Sequence, residues 1–309
     1  MTQAPIRIAI AGLGKIARDA HLPALAASAD FTLVATASPD GAAAADVPAY
    51  TALGAMLAAE PGIEAVAVCT PPQVRRAVAM EAIAAGKNVL LEKPPAATLA
   101  EAEALIEAAR AAGVTLFAAW HSRYAPAVEP ARAWLAGKAI RRVSLAWKED
   151  IRHWHPGQDW ILAPGGMGVF DPAINALSIA TALLPRFHVA SARLAVPEGR
   201  HAPLAGSLLF GGLAGPFTAE LDFLQTGPQS WDIAIETDQG TITLSLGGAR
   251  LAVDGVEQVL GDAAEYPPLY ARFARLIRTR ASEVDLRPLQ LVADAFMVAE
   301  VEKTAPFAW

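Results

Sequence analysis

The sequence predicts an α/β chain: an amino-terminal doubly wound parallel sheet, then an α+β half built on a large, mostly antiparallel open sheet. Three observations carry this. Strand and helix patterns alternate over the first 120 residues, which calls for a parallel sheet with helices on both faces. A glycine-rich turn, Gly12-Leu13-Gly14-Lys15-Ile16-Ala17, joins the first strand to the first helix. Beyond Trp120 the pattern changes to short strand-like runs separated by Gly and Pro. A chain of 309 residues suits two domains, divided as 1–121 and 122–309.

Taken in order, residues 6–11 form a short β-branched strand that feeds G-x-G-x-x-A. In a Rossmann domain Gly12 permits the tight turn, Gly14 lets backbone approach a pyrophosphate, and the small Ala17 lets helix pack on strand. The helix amino terminus, with Lys15 and Ile16, offers N–H groups and a positive dipole end to phosphates. Residues 31–37 are the second strand, ending at Ser38-Pro39-Asp40. A carboxylate at that strand end bonds an adenosine ribose diol and repels a 2′-phosphate, and here Ser38 stands in its place. The chain is therefore expected to use NADP or NAD, with a lean to NADP, and Asp40 is within reach of the ribose.

A helix over 51–60 closes at Pro61-Gly62, and strand 65–69 is broken by Thr70-Pro71-Pro72, at the edge where a nicotinamide would lie. Helix 73–85 stops at Gly86. Strand 88–91 then runs into Glu92-Lys93-Pro94-Pro95, delivering two charges to the carboxyl edge where open α/β sheets bind ligands. Thr98 and Glu101 form a capping box for a helix ending at Gly113, and 114–120 is one more strand. In the second half, helices are expected over 125–136, 169–184, 267–280 and 287–302. Strands are expected over 140–147, 187–196, 204–210, 216–224, 231–236, 241–246, 249–253 and 256–260, with Gly247-Gly248 and Asp254-Gly255 as hairpin turns.

Composition excludes several classes. Apolar residues make up 54% and charged residues 18%, so large cores can form and disorder is not expected. A net charge of -6 without clustered Lys and Arg argues against nucleic acid. Cys69 is the only cysteine, which excludes an internal disulfide and fits a reducing compartment. The opening Met1-Thr2-Gln3-Ala4-Pro5 lacks the features of a signal peptide, and window 168–184 carries Asp171, Pro172 and Asn175 and is too short to span a bilayer. A cytoplasmic protein without membrane partners is expected.

With Gly12-x-Gly14-x-x-Ala17, Cys69-Thr70-Pro71-Pro72, Glu92-Lys93-Pro94 and the antiparallel second half in view, the chain resembles the glucose-fructose oxidoreductase / inositol dehydrogenase (Gfo/Idh/MocA) family over nearly its whole length. The block Trp147 to Gln158, with Asp171 and Asn175 after it, looks closest to that family's aldose 1-dehydrogenases acting on L-arabinose and D-galactose. The resemblance implies a dinucleotide site that includes Thr70, Pro71, Pro72, Glu92 and Lys93, and self-association through the second domain's sheet. It also implies sugar contacts from Lys93, His121, Glu149, His155, Asp171 and Asn175. Many members carry His where Asn175 stands, so the proton relay of the inositol enzymes does not transfer unaltered.

The residues can also be read singly. Asp171 and Asn175, four apart, share a helix face; Asp171 also suits a cap for a helix starting at Pro172. His153 and His155 flank Trp154 as candidate substrate contacts; on an extended segment residues two apart share a face, as surface histidines of a loop would, and Trp154, if it faces the cleft, offers a flat surface to a sugar's C–H face. Loop anchoring and surface exposure are the alternatives for this segment. No metal site is expected, because hydride transfer to nicotinamide needs none and no Cys cluster accompanies the histidines. The implied reaction is oxidation of a pyranose at C1 to an aldonolactone. Lys93 holds the reacting oxygen, as base or as stabilising cation, and Asp171 passes the proton. The alternatives are a dehydrogenase acting on an inositol, a diol or another sugar carbon, and a dinucleotide-binding regulator without turnover.

Overall fold

The computed structural model describes residues 4–44, 46–262 and 264–309. Residues 1–3, which open the segment read for a leader, lie outside the described residues. The chain forms two compact units. The first runs through Trp120 and includes Tyr266–Leu286; the second comprises His121–Glu265 and Arg287–Trp309. The chain thus crosses at 120/121, one residue before the expected boundary. Residues 266–286, expected in the second half, belong to the first unit, because Tyr270 and Phe273 pack on Phe31 and Phe117.

In the first unit the strands are β1 (Ile6–Ala11), β2 (Phe31–Ala37), β3 (Ala49–Tyr50), β4 (Ala65–Val68), β5 (Asn88–Glu92) and β6 (Leu116–Ala119). They form one sheet in the order β3-β2-β1-β4-β5-β6, and every pairing is parallel. The order reverses between β1 and β4, the place where doubly wound sheets bind ligands at their carboxyl ends. Helices α1 (Leu22–Ala26), α2 (Leu53–Ala59), α3 (Pro72–Ala84) and α4 (Leu99–Ala112) connect the strands. Ile8, Ile10, Val66, Val68, Leu90 and Leu91 are wholly buried, as continuous apolar runs must be when helices cover both sheet faces. The expected cap of α4 is present: Thr98 Oγ1 accepts from the Glu101 amide at 3.2 Å, and Gly113 closes the helix at φ 66. Two details were not expected. The two-residue β3 adds to the sheet edge, and the first helix opens as a π-turn over Ala17–His21.

The second unit contains α5 (Val128–Leu135), β7 (Ile140–Lys148), α6 (Ile151–Trp154) and α7 (Phe170–Leu183). Then come β8 (His188–Pro197), β9 (Ala205–Gly211), β10 (Phe217–Asp222), β11 (Ser230–Thr237), β12 (Gly240–Ser245), β13 (Arg250–Val253) and β14 (Val256–Glu257). Helix α8 (Tyr266–Thr279) lies in the first unit, and α9 (Arg287–Val298) and β15 (Ala299–Thr304) return to the second. Nine strands form a sheet in the order β14-β13-β12-β11-β7-β10-β9-β8-β15. The pairings β7–β10 and β8–β15 are parallel and the rest antiparallel. Residues 299–302 were expected to continue a helix. They are extended instead, because β8 offers a free edge to which Ala299–Thr304 pair in register with Ala192–Pro197.

Candidate functional site

The first unit presents a dinucleotide cradle at the switch between β1 and β4. Gly12 has φ +91, and a Cβ there would lie 2.8 Å from the Thr70 amide nitrogen and 2.9 Å from the Cys69 carbonyl carbon. Only glycine fits so close an approach of two strand ends. A Cβ on Gly14 would meet nothing within 4 Å, so the backbone there faces open space of the kind a pyrophosphate needs. Ala17 is wholly buried, as its packing role requires. The Thr70 hydroxyl oxygen is buried and has no hydrogen-bond partner among the described residues, a polar atom that a bound group can satisfy. These observations fit a nicotinamide dinucleotide.

At the end of β2, Ser38 is buried and its hydroxyl bonds the Asp40 carboxylate, the chief cause holding Asp40 below the usual range; the Ala42 amide, at 3.1 Å, and the Arg18 charge act the same way. Lys15 is turned to Asp19, four residues along the helix. Ile16 is exposed beside it. Pro71 precedes α3 and Pro72 begins it, its missing N–H costing nothing at that position.

The Glu92-Lys93-Pro94 turn, with a cis peptide bond between Lys93 and Pro94, is held from two sides. Arg75 of α3, itself buried, donates to the carbonyls of Glu92, at 2.7 Å, Pro94 and Thr70. Glu92 belongs to β5 and its carboxylate is buried: Oε1 accepts from the Tyr266 hydroxyl at 2.6 Å and lies 3.0 Å from His21 Nε2. Its Oε2 accepts from the Lys93 amide at 2.8 Å. Glu92, expected to touch the dinucleotide, has both oxygens engaged inside the unit.

The second unit gathers several of the predicted polar groups. Glu149, at the end of β7, and Asp171, in the first turn of α7, are both buried. Between them stands His155, with Nε2 3.3 Å from Glu149 Oε1 and Nδ1 4.0 Å from Asp171 Oδ2. The other Glu149 oxygen accepts from Trp231 Nε1 at 2.7 Å. Asn175 lies one turn beyond Asp171 on α7, half-buried, and its side-chain amide bonds no described residue. Asp171 is not a cap: α7 begins at Phe170, ahead of it, and the capping position is Val169.

Other predicted residues are placed differently. Residues 151–154 form a helical turn capped by Asp150, whose carboxylate accepts from the Arg152 amide, so His153 and His155 do not share a strand face. His153 is exposed and meets Trp154 edge-on at 5.0 Å, while Trp154 leans on Trp231 at 4.8 Å. Trp147 stacks on Trp231 at 6.1 Å. His121 opens a 3-10 turn, and its Nδ1 pairs with Glu265. Sequence reasoning missed Trp231, Glu265, Arg75 and His21. His21 alone carried a signal, as an imidazole directly ahead of the apolar run 22–27. Among the described residues no group of three or more His, Cys, Asp or Glu is arranged to hold a metal, and no helix is long and apolar enough to cross a membrane.

A glycine cradle at the switch point of a parallel sheet, and a lysine at the neighbouring strand end, define a nicotinamide-dependent oxidoreductase. The chain belongs to the Gfo/Idh/MocA oxidoreductase family, whose model, described as an oxidoreductase family with an NAD-binding Rossmann fold, matches residues 6–120. It is 45% identical over 299 residues to galactose 1-dehydrogenase of Pseudomonas fluorescens, covering 95% of this chain and 96% of that protein. It is 52% identical to the solved D-galactose-1-dehydrogenase of Rhizobium etli, with a TM-score of 0.95 over 100% of this chain and 99% of that one. A 3-ketoreductase of Actinomadura kijaniata, 18% identical with a TM-score of 0.81 over 97% of this chain and 99% of that one, shares the fold.

Proposed function

We propose that the protein oxidises the anomeric carbon of an aldopyranose of the D-galactose and L-arabinose type to the aldonolactone, with NADP or NAD as acceptor. The observation that carries this reading is the His155 imidazole set between the buried carboxylates of Glu149 and Asp171, with Asn175 one turn away. Two carboxylates, an imidazole and an amide suit a ring of neutral hydroxyls, each able to donate and accept. The similarity to two galactose 1-dehydrogenases over nearly the full length supports the same assignment. The two sugars share ring configuration at C2, C3 and C4, so one set of polar groups serves both.

In the reaction C1 loses a hydride and its hydroxyl loses a proton; the nicotinamide, when bound, supplies the acceptor at C4. Lys93 holds the anomeric oxygen and stabilises negative charge as the proton leaves. Asp171 takes part in the proton's passage. Glu149, His155, Asn175 and His121 read the ring hydroxyls, and the indoles of Trp154 and Trp231 offer apolar faces to ring C–H groups. Gly12 and Gly14 seat the pyrophosphate, with Ala17 packing the helix on the strand behind them, and Ser38, which lacks the acid's repulsion of a 2′-phosphate, supports use of NADP beside NAD. The lone buried thiol of Cys69 fits a cytoplasmic setting, and a nine-stranded sheet suits self-association into a homo-oligomer.

The test is reduced-nicotinamide absorbance with NADP and NAD in parallel over D-galactose, L-arabinose, D-glucose, D-xylose and myo-inositol. Turnover on the first two, a product that hydrolyses to an acid, and a loss of at least about a thousandfold in Lys93→Ala with dinucleotide binding retained are expected. A ketone product, or silence from dinucleotide-bound protein, overturns the reading.

A further inference from the structure

Four side chains that the proposed reaction does not use lie together in the interior of the first unit. His21 is wholly buried at the end of the π-turn; its Nδ1 is 2.7 Å from the Tyr270 hydroxyl and its Nε2 3.0 Å from Glu92 Oε1. Tyr266, where the chain re-enters this unit, donates to the same Glu92 oxygen at 2.6 Å. The rings of both tyrosines meet His21 edge-on, at 4.9 Å and 5.8 Å. A buried carboxylate is costly unless paired and hydrogen-bonded. Here the pairing leaves Glu92 Oε2 to accept from one more donor, the Lys93 backbone amide at 2.8 Å.

We propose that His21 and Tyr266 are positioning residues for Lys93, acting through Glu92, so that the lysine's backbone is held by a buried polar chain running from Tyr270 through His21 and Glu92. The inference rests on the proposed role of Lys93 and adds to it the residues that set its place. The wide π-turn turns His21 inward, where a π-bulge commonly marks function. Cys69, the residue after β4, is among the groups that raise the His21 pKa, so the polar chain bears on the strand end next to the glycine cradle. Arg75 fixes the carbonyls on the other side of the same turn. A catalytic amine on a mobile backbone would lose the near-attack geometry on which hydride transfer depends.

The experiment compares Tyr266→Phe, which removes one hydroxyl, with His21→Ala and His21→Gln, whose amide can still donate to Glu92. Each is measured for kcat, KM, dinucleotide affinity, melting temperature and hydrogen exchange at the Lys93 amide. Expected are a ten- to hundredfold loss of kcat in Tyr266→Phe and His21→Ala, KM and dinucleotide affinity within threefold of wild type, and at least tenfold faster exchange at Lys93. Partial recovery of both kcat and protection is expected in His21→Gln. A kcat within twofold of wild type in folded Tyr266→Phe overturns the proposal, as does unchanged Lys93 exchange alongside weakened dinucleotide binding. Should His21→Ala fail to fold, Tyr266→Phe and His21→Gln decide it. Wild-type silence on every sugar sinks the proposed function instead, and the exchange at Lys93 then decides this inference by itself.

Discussion

Trp231 illustrates how a residue's chemistry is settled by its neighbours. Its indole nitrogen donates to Glu149, and its ring contacts those of Trp147 and Trp154. Trp231→Phe keeps a ring there but leaves buried Glu149 short of a donor, at a cost of about 1–3 kcal/mol. Steady-state kinetics should show kcat/KM for the sugar falling roughly tenfold, with dinucleotide affinity unchanged. The tight turn at Gly12 was legible because glycine between a strand and a helix is informative by type, and Lys93, Asp171 and Asn175 drew notice as charge or amide in an apolar setting, their roles being part of the proposed function. Trp231 and Glu265 were not, since an aromatic at a strand start or an acid in a loop has many uses. The face shared by His153 and His155 was misjudged because Asp150 caps a turn that makes the segment helical.

Secondary structure followed local chemistry where a cap or breaker marked it. Helix α4 begins after Thr98 and ends at Gly113 as expected. Thr98→Ala should cost about 1 kcal/mol, seen as a melting temperature lower by about 2–4 °C, with kcat and KM unchanged. Strand β5 ran one residue further than expected, to Glu92, since that side chain is paired within the interior rather than solvated in a turn. At the other end of the chain, β15 reads locally as helix, as its run of Ala, Glu, Val and Lys carries no breaker. Its backbone pairs with β8, and no local signal reports an open edge so far back in the chain.

The first unit is discontinuous in sequence, and the segment that returns to it brings Tyr266 and Tyr270 to His21. Burial pushes the Tyr270 hydroxyl up to about 12. For His21, burial acts downward and is the largest single influence, but the charges and hydrogen bonds of Cys69, Tyr270 and Glu92 together raise it well above the ordinary histidine value. A folded-state value above the unfolded one, about 6.5, means that protonated His21 stabilises the fold fully below about pH 6.5. That contribution is lost as pH rises through the folded-state value. The difference in melting temperature between wild type and His21→Gln should therefore be greatest near pH 6 and narrow under alkaline conditions; a gap that widens with pH would reverse the assigned sign. The alternation of strand and helix, the glycine cradle and the lysine-bearing strand end were all written in local pattern, because periodicity and turn chemistry act over a few residues. Tertiary packing alone decided that residues 266–286 close the first unit, that Glu92 faces inward and that Glu149, His155 and Asp171 meet, because each depends on contacts between residues far apart in the chain.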